Sequence, residues 1–598
     1  MTGKQPLHAK PGTAPPPSRW SSADVVAAAA LAAIVAAGWC AAHGLRGARD
    51  LDLPVGHLAA GPGAGDVPEY NDLYFTLALT RAAGEGRVIP GLPKRIPQLG
   101  APAEADWSDW PLIDEPQMLL TGLLGRLCGP FAALNLSLLL GHVLAAATMY
   151  AVATGGGAAR PWAFLAGTAY GLAPFLFAQS PHHATVAWAW HVPLFIPAWR
   201  WAADPAIGPR DRRFLAAAAI GALAGVQNPY YTNILCQLAL LSAGVTAWRT
   251  RSWRALGTAG GIVLAAAVAF GLMHLDTLFH GWMAGRNPAV VQREYKWMEI
   301  YGLKLVDLVV PSAGHRVPWM ERAGAAHRAA APLLDEGASY LGVVGIGCLA
   351  WLAAVSVRAL VERHAERVPA AFWQVVWIVL MFTTGGLNAF AGSAGFLLFR
   401  AGCRASIAIL AIVLEWGAGR ATALASPRAR GTWGAAALAA GFAFLDQVPR
   451  GPAPQQLDQI AARVASDRTF IARLEEKLPE GAMVLQLPLM DFPESPAAGL
   501  GAYDQLRPYA LGSRLRWSFG TVKGRPRDEA LRVLEGTDIR RIVTGMRKAG
   551  FAAIVVHRAA FPDRGRELET LLRAATGART LIESPDGDVS CVVLGEGG

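Results

Sequence analysis

Carboxylates gather in one polar stretch, residues 44–118, caught between the first two apolar runs of the chain. It contains Gly65-Asp66-Val67-Pro68-Glu69-Tyr70-Asn71-Asp72 and, further on, Asp106-Trp107-Ser108-Asp109-Trp110-Pro111. A carboxylate partly desolvated at a membrane surface is a competent general base for a hydroxyl. Asp66 is therefore the first candidate base, with Asp72 and Asp109 in reserve, and Glu69 and Asn71 stand beside it as candidate binding groups. The segment after Asp66 reads as an amphipathic helix with Leu73, Leu77 and Thr80 on one side, of the kind that lies in the interface plane. Capping that helix is the alternative role for Asp66 or Asn71. Trp107, set between Asp106 and Asp109, suits a polyhydroxylated ligand, because sugar C–H faces are apolar while hydroxyls need partners. An aromatic belt at the membrane interface is the other reading of these indoles.

Three further groups stand at connections on the same side of the membrane. Ser180-Pro181-His182-His183 offers two adjacent imidazoles. Without a carboxylate partner they make a poor metal site, but His182 and His183 could hydrogen-bond a phosphate head group; a satisfied interfacial pair is the alternative. Gln227-Asn228-Pro229-Tyr230-Tyr231 interrupts two apolar runs and places Tyr230 and Tyr231 to line the same cavity. Arg400 and Arg404 lie where positive charge is otherwise sparse. Charges at membrane depth are costly and default to function, and arginine suits bidentate phosphate binding. An ion pair with an outer carboxylate, or snorkelling to head groups, would also account for them. No metal ligand set is expected: the six cysteines are scattered singly with no CxxC spacing,. A Walker loop, HExxH and GxSxG are all absent, which argues against ATP hydrolysis, metalloproteolysis and serine-hydrolase chemistry.

The elements that must position these residues are mostly membrane spans. Of 598 residues, 53% are hydrophobic and only 16% charged, and the mean hydropathy is +0.31, a polytopic rather than a soluble composition. Apolar runs at about 23–42, 131–153, 161–178, 184–203, 213–227, 229–248, 255–276, 338–358, 370–389, 404–420 and 431–446 predict about 11 transmembrane helices,. The first is expected to be an uncleaved anchor behind a disordered cytoplasmic segment, residues 1–22. Basic residues fall on one set of short loops: Lys4, Lys10 and Arg19, Arg160, then clusters at 200–213, 249–254, 358–367 and 420–430. The opposing short connections carry none, a positive-inside pattern. It places the N-terminus in the cytoplasm, and it puts loops 44–118 and 277–337 and the C-terminus outside, in the bacterial periplasm. It also accounts for the +10 net charge without nucleic acid.

From about 447 the composition becomes that of a soluble domain. Helical spacing over 455–478, 528–548 and 564–575 alternates with strand-like runs at 482–489, 551–557, 579–584 and 589–594,. Residues 447–598 thus form a small periplasmic α/β domain.

Many spans, an Asp-rich first outer loop and a C-terminal outer domain together resemble the GT-C superfamily of integral-membrane glycosyltransferases. The likeness covers residues 20–445 and lies in the layout. The phrases Leu99-Gly100-Ala101-Pro102, Ile300-Tyr301-Gly302-Leu303-Lys304-Leu305, Arg400…Arg404-Ala405-Ser406, Phe492-Pro493-Glu494 and Leu515-Arg516-Trp517-Ser518-Phe519-Gly520 are also similar to those of a group of uncharacterised bacterial membrane proteins. The resemblance implies a polyprenyl-phosphate-sugar donor, a glycan or lipid-linked acceptor and a catalytic carboxylate in the first outer loop. No cofactor is implied, a divalent cation being the one admissible addition, and membrane lipid is the surrounding partner. A plain Asp-Asp or Asp-Glu dyad is lacking, so the choice among Asp66, Asp72 and Asp109 stays open. Rival readings are a transporter or flippase of lipid-linked sugars, a glycan polymerase, and a non-enzymatic scaffold. A transporter would show internal repeats and midplane charges, and no repeat is visible.

Overall fold

The computed structural model describes residues 21–55, 72–179, 183–312, 314–333, 335–424, 431–525 and 538–595. Asp66, Glu69, Asn71 and His182 lie outside the described residues. Among those described, six helices are long and apolar enough to cross a membrane: Ser22–Ala42, Pro130–Gly155, Arg160–Gln179, Leu256–Met273, Gly342–Val361 and Gly402–Leu424. The remaining expected runs are helical but short, broken or polar. Run 184–203 divides into Ala184–Ala187, a 3-10 segment Ala189–Leu194 and Phe195–Ala202. Pro193 and Pro197 remove the amide donors a continuous helix would need there. Ala370–Phe382 and Gly431–Gln447 run 13 and 17 residues. Pro229–Thr250 is long enough but carries Asn233, Gln237 and Ser242.

The first loop, between the Ser22–Ala42 and Pro130–Gly155 spans, is folded in its described part. Its amphipathic helix is Leu73–Gly84, with Leu73, Leu77, Thr76 and Thr80 buried. It packs on Glu115–Cys128, an element the sequence reading missed. Gly84 and Gly122 allow the close approach, since a Cβ on Gly122 would strike the Gly84 amide and lie 2.7 Å from the Ala83 Cβ. Between the helices, β1 (Arg95–Ile96) pairs antiparallel with β2 (Ala105–Asp106). Beneath this hairpin Lys94 is fully enclosed, bonded to Asp276 and 3.1 Å from Glu115, with none of the three more than 1% exposed. The loop is thereby pinned to the end of the Leu256–Met273 span.

The C-terminal domain is α/β as expected. Its sheet runs in the order β4 (Arg516–Trp517), β3 (Met483–Leu487), β5 (Phe551–His557), β7 (Val589–Val593), β6 (Ile582–Glu583). Strand β3 is parallel to β4 and β5, while β7 is antiparallel to β5 and β6. Helices Pro454–Lys477, Ile539–Lys548 and Arg566–Thr576 accompany it.

The domain is continuous with the first loop. The Trp517 amide donates to the Gln98 carbonyl at 2.8 Å, and the Ala101 and Gly100 amides donate to Trp517 and Phe519 at 3.0 Å. The loop thus extends the sheet past β4, covering an edge that would otherwise be unpaired. An aromatic cluster fills the space behind it. Trp107 stacks on Phe492 at 5.3 Å, and Phe75 stacks on Trp110 at 4.7 Å and Tyr503 at 5.1 Å.

Removing one partner of a buried charge cluster leaves the other charges uncompensated and costs about 3–5 kcal/mol. Lys94→Met is expected to lower the thermal midpoint of the purified protein sharply. Lys477→Met, on the exposed last turn of its helix, should leave the midpoint within error.

Candidate functional site

Asp72 stands at the N-terminus of Leu73–Gly84. Its carbonyl accepts from the Thr76 amide at 2.9 Å, but its carboxylate makes no capping bond. The carboxylate faces His183 instead, with Oδ2 3.4 Å from Nε2 and about a third of each side chain exposed. His183 Nδ1 lies 3.0 Å from Gln179 Oε1, and Gln179 Nε2 donates to Glu336 at 2.6 Å. Glu336 in turn accepts from Arg404 at 3.1 Å and 2.5 Å. The Arg404 guanidinium sits 4.8 Å over the Tyr230 ring, a cation–π contact, while the Tyr230 hydroxyl accepts from the Ala401 amide at 3.2 Å. Arg400 stands alongside with no hydrogen bond or ion pair from its guanidinium among the described residues. The C-terminal domain closes the cluster with Glu494, which is bonded to Arg293 at 2.6 Å and 3.1 Å.

These neighbours divide the carboxylates by charge state. Burial, reinforced by Glu494, pushes Asp72 up to about 7 against the pull of Arg404 and Arg400. Burial would raise Glu336 as well, but Arg404 and its hydrogen bonds hold it at about 2. Burial also lowers His183 to about 4, against the pull of Glu336. Near neutral pH the cluster therefore contains one ionised carboxylate, one poised near its own titration, and a neutral imidazole between them. Carboxyls whose environments push them apart are the mark of an acid–base site.

The backbone that presents Arg404 rests on the Ile300–Leu305 phrase. The Leu303 amide donates to Phe382 at 2.8 Å, the Thr384 amide to Leu303 at 3.2 Å, and the Cys403 amide to Tyr301 at 2.9 Å. Residues 301–303 are thus threaded between the end of Ala370–Phe382 and the 3-10 turn Gly402–Ala405. Gly402 makes this possible, since a Cβ there would strike the Phe382 carbonyl and crowd the Leu303 amide at 3.2 Å.

Of the residues singled out from sequence, Asp72, His183, Tyr230, Arg400 and Arg404 converge. Arg404 both faces the site and forms the ion pair considered as its alternative role. Asp109 is elsewhere: its oxygens accept from Arg525 at 2.6 Å and 2.7 Å and from Asn287 at 2.6 Å, with 6% of the side chain exposed. A carboxylate pinned by three donors is a strut between the loop and the C-terminal domain, not a base. Trp107 requires a correction as well. It is wholly buried and its indole N–H donates to the Gly520 carbonyl at 2.9 Å, so it offers no face to a sugar. Tyr231 is buried too, its hydroxyl donating to the Val186 carbonyl. Gln179, Glu336 and Arg293 were not anticipated, and Glu494 entered the sequence reading only within the phrase Phe492-Pro493-Glu494. The acid pair Asp335-Glu336 just before a span was the available signal, since Arg404 needs an outer carboxylate. Among the described residues no group of three His, Cys, Asp or Glu side chains could hold a metal ion.

No family profile and no curated protein match the chain. Solved structures do. The chain is similar to the arabinofuranosyltransferase AftD from Mycobacteria at 15% identity and a TM-score of 0.44, covering 97% of this chain and 40% of that one. A mutant of the same enzyme gives 15% identity and 0.46, covering 97% and 42%. The Archaeoglobus fulgidus oligosaccharyltransferase in its apo form gives 12% identity and 0.40, covering 89% and 69%. The chain spans about two fifths of the length of AftD.

Overpacking a filled interior costs about 1–3 kcal/mol. Gly402→Ala should therefore lower the thermal midpoint. Gly419→Ala, in the same helix with open space around it, should not lower it.

Proposed function

We propose that this chain transfers a sugar from a polyprenyl-phosphate carrier to a lipid-linked or cell-envelope glycan at the outer face of a bacterial inner membrane. The observation that carries this reading is the juxtaposition of Asp72, a carboxyl poised near neutrality, with Arg400, whose guanidinium has no hydrogen-bond or ion-pair partner among the described residues. Transfer of this kind needs a base for the acceptor hydroxyl and positive charge for the departing phosphate, and both stand in one cluster. In the reaction the acceptor O–H bond breaks and its proton goes to Asp72. The acceptor oxygen bonds to the anomeric carbon. The carbon–oxygen bond to the carrier breaks, and its electron pair leaves on the phosphate. Preorganised charge aimed at the developing anion is commonly the largest catalytic term. Arg400, free of partners among the described residues, would take the larger share of that charge. Arg404 is committed to Glu336 and adds its field. The acceptor would enter beneath the C-terminal domain, past Glu494 and Arg293. No metal is required by this scheme.

The orientation belongs to the same proposal: N-terminus inside, C-terminal domain in the periplasm. In right-side-out cells a cysteine at the exposed Glu480 position should react with an impermeant thiol reagent. One at the exposed Arg363 position should not. Reversed labelling would put the site on the wrong side for a carrier-lipid donor.

The chemical test uses purified protein and a synthetic polyprenyl-phosphate sugar. General-base catalysis contributes about 10²–10⁴-fold, so Asp72→Asn should cost that much in transfer while donor binding survives. Arg400→Ala should instead weaken donor binding. The raised affinity of Asp72 for its proton gives the profile its sign: the base is the ionised form, so transfer should rise with pH through about 7 and level off above it. A transporter would form no glycosylated product, and an Asp72→Asn protein with the wild-type rate would remove Asp72 from the mechanism.

A further inference from the structure

The hydrogen-bonded chain from His183 to Arg404, which ends beside Asp72, has a polarity that follows from chemistry alone. Glu336, bonded to Arg404, is a carboxylate with no proton to give, so the Gln179 group facing it at 2.6 Å must be the NH₂. The amide carbonyl is then turned toward His183, 3.0 Å from Nδ1. A carbonyl oxygen can only accept, so Nδ1 must carry the hydrogen. A neutral imidazole with hydrogen on Nδ1 has a bare lone pair on Nε2, and Nε2 is the atom 3.4 Å from Asp72. We propose that Glu336 and Gln179 lock His183 as the Nδ1–H tautomer, so that its bare Nε2 faces Asp72 and the two together hold the proton taken from the acceptor hydroxyl. This deepens the glycosyl-transfer reading and, for the destination of that proton, rests on it.

The consequence is a shared site for one proton. Before transfer the pair is Asp72 carboxylate and neutral His183, with net charge −1. Afterwards it is neutral overall, whether the proton sits on Oδ2 or on Nε2. Burial keeps the imidazole itself near 4, so the acid limb near pH 7 follows Asp72, and Nε2 takes part by accepting the hydrogen bond of the protonated carboxyl. The charges facing Asp72 are Glu494, Arg404, Arg400 and Glu336, and those facing His183 are Glu336, Arg404 and Arg400. Gln179 and Glu336 touch neither substrate nor the reacting proton: they are positioning residues, acting through the imidazole. The same Glu336 also orients Arg404, so one carboxylate aligns the base on one side and the phosphate-facing charge on the other.

The test reads the tautomer directly. Protein labelled with ¹⁵N-histidine carries 13 histidines, and His183 is assigned by its loss in His183→Gln. Above pH 8 the His183 signals should show a protonated Nδ1 and a bare Nε2. In Gln179→Ala they should become a mixture of tautomers. In Gln179→Glu, which keeps an acceptor for Nδ1 and nearly the same shape, the Nδ1–H form should return. An Nε2–H tautomer in the unmodified protein, or a tautomer indifferent to Gln179→Ala, would overturn the assignment. The second reading is sugar transfer from a synthetic polyprenyl-phosphate donor. Gln179→Ala should lower kcat roughly tenfold or more and displace the acid limb, with donor KM unchanged, and Gln179→Glu should recover part of the rate. Unchanged kcat and pH profile in Gln179→Ala would overturn the proton-sharing role. Should the tautomer be as described while no product forms in any variant, the lock stands and the glycosyl-transfer reading falls.

Discussion

Arg404 and Glu336, with 13% and 11% of their side chains exposed, face each other at the start of the Gly402–Leu424 span. Stripping water from two charges costs several kcal/mol per ion, and their attraction repays it only with good geometry and further hydrogen bonds. Both conditions are met here. The contact is made through two guanidinium nitrogens, Tyr230 lies under the cation, and Gln179 donates to the anion. Two connections far apart in sequence, 335–341 and 399–405, are thereby held at one point. That point lies beside the Arg160–Gln179 span. The direction of the hydrogen bond through Gln179, the tautomer of His183 and the setting of Asp72 all follow from it.

A second constraint comes from outside the membrane. The C-terminal domain is not appended to the spans but shares its sheet edge with the first loop, through residues 98–101 and β4. The Asp109–Arg525 ion pair and the stack of Trp107 on Phe492 hold the same seam. These contacts fix the loop from which the Asp72 helix rises. They also bring Glu494 to the site, in the left-handed region at φ 54°. A non-glycine residue held there is uncommon and is tolerated where its surroundings demand it. The pair with Arg293, itself in the polar segment 277–337, is such a demand.

Much of this was legible in the sequence, for reasons particular residues make plain. Spans such as Ser22–Ala42 and Gly342–Val361 are long and strongly apolar, with mean hydropathies of 2.2 and 2.0, and length and composition identify them. The amphipathic spacing of Leu73, Leu77 and Thr80 anticipates the helix that carries Asp72, and the isolation of Arg400 and Arg404 anticipates their placement. What could not be read was pairing across the chain. Trp107 looks like a sugar-stacking residue until Gly520, more than four hundred positions away, is found accepting its N–H. Asp109 looks like a free carboxylate until Arg525 is found on it. Glu336 carries no local signal beyond its place before a span. The run 184–203 misled for a different reason: its hydropathy suits a membrane helix while Pro193 and Pro197 forbid a continuous one. The sheet edge at β4 was invisible because a two-residue strand has no periodicity to detect.

The central claim is that the carrier phosphate sits against Arg400, with the sugar between it and Asp72. A density map of the protein bound to a non-transferable polyprenyl-phosphate sugar analogue tests it most directly. The account predicts phosphate oxygens within hydrogen-bond distance of the Arg400 guanidinium and the anomeric carbon on the side of Asp72. Its contradiction would be a phosphate seated elsewhere, for instance in the cleft of about 100 Å³ lined by Arg328, His315 and Tyr340, with Asp72 facing only protein.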